Sequence, residues 1–266
     1  MKLQQLLEIM WEDYCQLNPA ALRIFNLLEA EGEKVLNDHI ALRTFRHPKV
    51  GISKMAYVFE KFGYKKMNEY FFKEKKLFAQ HYEHTDEKLP KIFISELELD
   101  KLSSGLRNKL EQLINQIPES FVESDSFTVC GRHWEISSGE YEQMYKESEY
   151  AAWVSAFGFR PNHFTVNVNA LQKLDSIEKI NQFLLKNGFT LNTSGGAIKG
   201  TAADMLEQSS IMAVEIDVDF SDRRHRIPGC YYEFAKRYTQ PKTGKLYQGF
   251  IAASADKIFE STNRAR

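Results

Sequence analysis

The sequence predicts an α+β fold in which two β-α-β-β-β modules close their sheets around a shared cavity, with additional helices. Three observations predict it. Stretches of strict polar/apolar alternation stand beside stretches of helical period. The order strand, helix, strands occurs twice. The two copies also keep step: His39 to Gly63 spans 24 positions and His163 to Gly188 spans 25, each glycine being followed by an aromatic, Tyr64 and Phe189. The expected organisation is one functional domain over 1–266. It comprises a helical segment 1–36, a first module 37–99, a mainly helical insertion 100–160, a second module 161–238 and a C-terminal segment 239–266.

Taken in order, Leu3, Leu6, Leu7, Met10, Trp11 and Tyr14 recur at helical spacing. A second helix is predicted from Pro19 to Leu36, with Leu22, Phe25, Leu28 and Val35 on its apolar side. NDHIALRTF (37–45) then alternates as a strand, with Ile40, Leu42 and Thr44 on one face and His39, Ala41, Arg43 and Phe45 on the other. A helix is predicted from Ser53 as N-cap to Gly63 as its stop. KLFAQHYE (76–83) and KIFISELEL (91–99) follow as strands. Helices are expected over 100–117 and 139–157, with FTVCG as a short strand between them. NHFTVNVN (162–169) restores the strand pattern. Asp175 and Glu178 form a capping-box pattern for a helix ending at Gly188. Two strands, 209–220 and 229–238, complete the second module, with DRRHR (222–226) expected as a solvated hairpin loop.

Composition narrows the function. With 35 basic against 36 acidic residues, the chain is not built to coat nucleic acid or an anionic membrane. No apolar run reaches the roughly 18 residues of a membrane span, and the N-terminus lacks the basic start and apolar run of a signal peptide. Cys15, Cys130 and Cys230 lie far apart with no Cys-x-x-Cys pair, which points to a reducing compartment and, with it, the cytoplasm. Nothing sets an oligomeric state.

The chemistry rests on a few residues. If the modules are related by a pseudo-twofold axis, His39 and His163 are equivalent and face one cavity. Glu233, in the apolar segment CYYEFAKR, is the best third ligand, because a buried carboxylate is costly unless paired or bound to a metal. Two histidines and one carboxylate with open positions form the arrangement of non-haem Fe(II) oxygenases. Glu96 is a rival carboxylate, or a group that orients a ligand imidazole. Arg43 shares the His39 face about 13 Å along the strand. Its fork suits a carboxylate several carbons from the metal; alternatively it pairs with an acid such as Glu96 or Asp38.

The segments NDHIALRTF, FISEL, RPNHFTVNVN, GAIKGTAADMLEQSS, PGCYYEFAKR and GFIAASADKIFEST together resemble the 2-oxoadipate dioxygenase/decarboxylase family, of the D-2-hydroxyglutarate synthase type. The resemblance runs from about residue 35 to the C-terminus. That family is distantly similar to vicinal-oxygen-chelate enzymes such as hydroxymandelate synthase. The resemblance implies a cupped vicinal-oxygen-chelate-like sheet, with Fe(II) held by His39, His163 and Glu233. It also implies a substrate carboxylate on Arg43 and a backbone-plus-hydroxyl contact at Ala253 and Ser254. The implied reaction takes a 2-oxo dicarboxylic acid and O2 to CO2 and a shortened 2-hydroxy acid; for 2-oxoadipate, that product is 2-hydroxyglutarate.

Other features carry less. His81 and His84 of HYEH face opposite sides of a strand and are expected at an exposed strand end. His133 and His225 read as surface or local structural residues. SGGAIKGT (194–201) lacks the glycine order of a P-loop and reads as a tight turn or a lid. Gln208 and Ser210 line the pocket or satisfy buried backbone groups. Two further readings keep the fold: a metal-dependent isomerase or hydrolase on the same ligands, and a non-enzymatic protein that sequesters a small molecule.

Overall fold

The computed structural model describes residues 1–262. Helices α1 (Leu3–Leu17) and α2 (Pro19–Ala30) precede strand β1 (Asn37–Phe45), helix α3 (Ile52–Lys61) and strands β2 (Lys65–Phe72), β3 (Leu77–Glu83) and β4 (Lys91–Leu97). The insertion holds α4 (Ser104–Asn115), α5 (Glu119–Val122), α6 (Ser138–Glu147) and α7 (Glu149–Phe157). The second half comprises β5 (Pro161–Asn167), α8 (Ile177–Lys186), β6 (Leu206–Ser210), β7 (Glu215–Asp219), β8 (Arg224–Pro228) and β9 (Tyr231–Arg237). Helix α9 (Ala252–Ile258) and a 3₁₀ turn over Phe259–Thr262 close the described chain.

Seven strands form one sheet in the order β2-β3-β4-β1-β5-β9-β6. The duplication is visible in the pairing: β1 lies parallel to β4, β5 lies parallel to β9, and the halves join through the antiparallel β1–β5 pair. The first half gives four strands to this sheet and the second gives three, while β7 and β8 form a separate two-stranded ribbon. The sheet is strongly curled. The Phe250 ring lies 6.0 Å from Tyr70 on β2, 4.8 Å from His39 on β1 and 5.1 Å from the Arg237 guanidinium on β9. In a flat sheet β2 and β9 would stand five strand spacings apart, about 24 Å. The outer face is covered by α1, whose Trp11 and Tyr14 pack on Phe164 at 5.1 and 4.9 Å.

β1 forms over the predicted residues, and several other expectations are corrected. α2 stops at Ala30, six residues early, because Gly32 takes φ +81 and the Gly32 and Glu33 amides close the helix end. Leu22 is 43% exposed, the buried face being Ala21, Ile24 and Leu28. The N-cap of α3 is Gly51 rather than Ser53. β2 has no place in the pattern reading because most of its residues are exposed on a sheet edge. The 139–157 helix is broken at Ser148, whose extended backbone and side chain cap α7. FTVCG contributes a 3₁₀ turn, not a strand. Ser176 caps α8, while Asp175 pairs with Lys179. The expected 209–220 strand divides into parts of β6 and β7, and Arg224–Pro228, which takes in much of the expected loop, forms strand β8.

Candidate metal centre

The candidate ligands sit on three adjacent central strands. His39 pairs with Thr165 across β1–β5, and Thr165 pairs with Glu233 across β5–β9, so His39, Thr165 and Glu233 form one row. His163 stands opposite Ala41, one alternation along the same face. All three ligands are buried. The two Nε2 atoms lie 3.4 Å apart, and Glu233 reaches His163 Nε2 at 3.1 Å and His39 Nε2 at 3.8 Å. Their donor atoms fall within 4.8 Å of one another, a group that could hold a metal ion.

Two bulges aim the imidazoles. Between the pairs Asn37–Val166 and His39–Thr165, β1 advances two residues while β5 advances one. Between Ala41–His163 and Leu42–Pro161 the reverse holds. The extra residues are Asp38 and Asn162, each directly before its histidine. A bulge re-aims a side chain that alternation would send to the opposite face. Accordingly, His39 Nδ1 donates to Asp38 Oδ1 at 2.8 Å, and His163 Nδ1 donates to Asn162 Oδ1 at 3.2 Å. With both Nδ1 protons engaged, the Nε2 atoms face one another's strand. That of His163 points toward Glu233, and that of His39 toward the Thr165 hydroxyl at 3.1 Å with Glu233 beyond it, a placement that suits metal ligands.

The electrostatics suit a cation. Burial lowers the pKa of His163, with Glu233 opposing, which favours the neutral imidazole. Burial works to raise the Glu233 carboxyl, but His163, His39 and the Gln208 amide together hold it below the usual range. Gln208 Nε2 donates to Glu233 Oε1 at 2.5 Å. Behind His39, Arg237 donates to both oxygens of Asp38, at 2.6 and 2.8 Å. That guanidinium outweighs burial and keeps Asp38 well below the carboxylate range.

Of the sequence-predicted residues, the structure brings His39, His163 and Glu233 together and puts Gln208 beside them. Glu96 is elsewhere: it pairs in register with Thr44, accepts the Ile52 amide at 3.0 Å and meets Arg46 at 3.2 Å. It caps α3 and neither binds nor orients the ligands. Arg43 is buried and engaged, its Nη1 donating to Glu149 at 3.1 Å and its Nη2 to Thr262 Oγ1 at 3.2 Å. Tyr150 and Trp153 flank it at 4.9 and 5.1 Å. Ser254 is buried on α9 and Ala253 is exposed there. Ser210 bonds Ser261 and so ties down the C-terminal turn. His81 is fully buried rather than at an exposed end, bonding Tyr70 and Glu83 at 2.9 Å each. Pattern reading missed Asp38 and Asn162 as imidazole partners; the polar residue before each histidine was their signal.

Beside the triad lies a small cavity lined by Phe93, Phe250, Ala255, Ile258 and Phe259. The centre of a water-sized sphere has about 20 Å³ there, space for one or two waters at roughly 10–15 Å³ each. Among the described residues no helix is long and apolar enough to cross a membrane.

Comparison with known proteins agrees with this geometry. Residues 2–124 and 119–248 match the family model of 2-oxoadipate dioxygenase/decarboxylase. The chain is 34% identical over 275 aligned positions to the chloroplastic 2-oxoadipate dioxygenase/decarboxylase of Arabidopsis thaliana, covering 94% of this chain and 74% of that protein. The rice hydroxyglutarate synthase crystallised with 2-oxoadipate superposes with TM-score 0.90 at 32% identity, covering 97% and 91% of the two chains. A Shewanella frigidimarina protein described as a hydrolase gives TM-score 0.90 at 45% identity, covering 94% and 98%. The expected cupped fold is further matched by a glyoxalase-superfamily protein from Ralstonia eutropha, at TM-score 0.77, 18% identity and coverage of 93% and 85%. With its triad, its curled sheet and a family model spanning most of its length, the chain belongs to the 2-oxoadipate dioxygenase/decarboxylase family.

Proposed function

We propose that this protein is an Fe(II)-dependent dioxygenase that decarboxylates a 2-oxo dicarboxylic acid, with 2-oxoadipate as substrate. One observation carries the reading: two anchored imidazoles and one carboxylate converge at a buried point, with an arginine on the same strand face. Two nitrogens and one oxygen on one side of a cation leave positions for a chelating keto acid and for O2. Fe(II) bound there would supply the electron transfer to O2 that side chains cannot. Each turnover converts one 2-oxoadipate and one O2 into one 2-hydroxyglutarate and one CO2. Carbon, hydrogen and oxygen balance in that exchange, and the substrate supplies all four electrons, two in losing CO2 and two at the carbon that is hydroxylated, so no further reductant enters.

The chain's own groups have separate tasks. Asp38 and Asn162 fix the ring orientations, and Arg237 keeps Asp38 ionised. Arg43 receives the distal carboxylate, which requires that it exchange Thr262 or Glu149 for substrate. Ala253 and Ser254, at the start of α9, would reach the substrate only once α9 shifts, since Ala253 is exposed and α9 lines the cavity through Ala255 and Ile258. Phe93, Phe250 and Phe259 line the cavity and would exclude water from the reaction. The small cavity implies that α9 and the following turn shift to admit a six-carbon diacid. The three free cysteines support a reducing compartment such as the cytoplasm, although the Arabidopsis relative is chloroplastic.

The test is anaerobic loading with Fe(II), addition of 2-oxoadipate, then O2, following oxygen uptake and CO2 release. Equal consumption and release, with 2-hydroxyglutarate formed, is the expected result. Turnover without oxygen would instead indicate an isomerase or hydrolase on the same ligands. Ligand capture with neither metal nor turnover would indicate a sequestering protein.

A further inference from the structure

One polar group beside the triad has no task in this scheme. Tyr231 is completely buried on β9, two residues before Glu233 and on the same strand face. Its ring stacks on His163, with centroids 4.5 Å apart and planes inclined by 29°. Tyr14 donates to its backbone carbonyl and fixes the strand there. Its phenol oxygen nevertheless meets no hydrogen-bond partner among the described residues, and the same is true of Arg43 Nε. Buried polar groups are ordinarily satisfied, so such an atom at a ligand site asks for a ligand.

Its position says which ligand. Along the shared face the row His39–Thr165–Glu233 is followed by the row Ala41–His163–Tyr231, and Arg43 stands two residues beyond Ala41 on β1. Tyr231 therefore lies on the row between that of His39 and Glu233 and the position of Arg43, along the path of a molecule gripped at both ends. A phenol carries its proton at neutral pH, so the hydroxyl is a neutral donor.

We propose that Tyr231 is a substrate-binding residue whose hydroxyl donates a hydrogen bond to a carboxylate oxygen of the dicarboxylate held between the triad and Arg43. The inference rests on the functional reading above and adds a third polar contact to it. A neutral donor strengthens the grip on a dianion without adding a second buried cation beside the metal.

The experiment compares wild type with Tyr231→Phe, which keeps the ring stack and removes only the hydroxyl. Anaerobic calorimetry of 2-oxoadipate binding to the Fe(II)-loaded proteins should show Kd raised about 10–100-fold, the loss of one charge-assisted hydrogen bond. KM should rise in parallel, with kcat within about threefold of wild type. Without substrate, the thermal midpoint of Tyr231→Phe should equal or exceed wild type, because the hydroxyl is idle in the free protein. A lowered midpoint in the free protein, or Kd and KM equal to wild type while wild type turns over, overturns the inference alone. Wild type that neither binds nor consumes 2-oxoadipate overturns the functional reading and this inference with it.

Discussion

The two halves of the sheet are built alike and furnished differently. Each begins with a bulged polar residue and a histidine, Asp38-His39 in the first and Asn162-His163 in the second. Each places a parallel strand beside that histidine: His39 pairs with Lys91 on β4, and His163 pairs with Tyr231 on β9. Two residues further on, the copies part. The second half carries Glu233, while the first carries Phe93, which lines the same cavity. Four residues beyond each histidine the first half has Arg43 and the second has Asn167. Duplication thus supplies a pair of converging imidazoles, and divergence supplies everything that makes the pocket asymmetric. On the function proposed above, one half would bring the carboxylate for the metal and the other the cation for the substrate's tail.

The largest effects should follow from the shared part. His39→Ala and His163→Ala are each expected to lose bound iron and oxygen consumption altogether, read by metal analysis and an oxygen electrode. One variant retaining full iron and turnover would remove that histidine from the centre. Phe93→Glu would erase the asymmetry by giving both halves the acid. A buried unpaired carboxylate costs several kcal/mol, so the metal-free variant should be strongly destabilised. Metal should stabilise it more than it stabilises wild type, yet turnover should fail, because a fourth protein ligand takes a position that substrate or O2 needs. Thermal melts with and without Fe(II), alongside turnover, test this.

Next comes the tail. Arg43→Ala should retain metal and raise KM on the order of 10²-fold, since truncating one partner of a buried charge pair costs about 2–5 kcal/mol. Loss of iron in this variant would place Arg43 in the metal centre instead. Asp38→Asn then makes the first half like the second. Replacing the carboxylate behind a ligand imidazole should weaken metal affinity about 10–100-fold, and it strands the Arg237 guanidinium, which is buried against Asp38. Asn162→Ala should cost less, its 3.2 Å contact being longer and neutral. Metal titration of both variants gives the order; Asn162→Ala proving the worse would contradict it.

These same differences decide how much could be read without coordinates. The triad was legible because strand alternation and the repeat act locally, and β1 runs over Asn37–Phe45 as its pattern required. Glu96 misled because its segment matches a second-half strand in composition, while its register sets it against Thr44 on the other face. Asp38 was hidden by its bulge, which breaks the period of two on which face assignments depend. The partners of Arg43 come from Glu149 and Thr262, 106 and 219 residues away, and no local period reports such contacts. The break at Ser148 was missed because helix-forming residues flank it on both sides, yet Ser148 takes an extended backbone and caps α7.

The smallest effect concerns a histidine that the second half lacks. His81 stands opposite Phe93 in the sheet, where the second half sets Ser210 opposite Glu233. Burial lowers its pKa below 6.5, Glu83 opposing, while Arg237 and Lys91 add to the depression and Tyr70 bonds its other nitrogen. The folded chain therefore resists a proton that the unfolded chain accepts at about 6.5. Stability should fall as pH drops below that value and level off once the folded histidine also titrates. Glu83 shifts in the same direction, its pKa being lowered from 4.5, so its contribution is lost only at more acidic pH. His163 shares the sign of His81, so wild type alone cannot apportion the slope. His81→Gln should flatten part of the decline between about pH 6.5 and 5, measured as urea midpoints at each pH. It should leave iron binding intact, because His81 touches Phe250 and not the ligands. An unchanged slope would mean that His81 is protonated in the fold, with Glu83 outweighing burial.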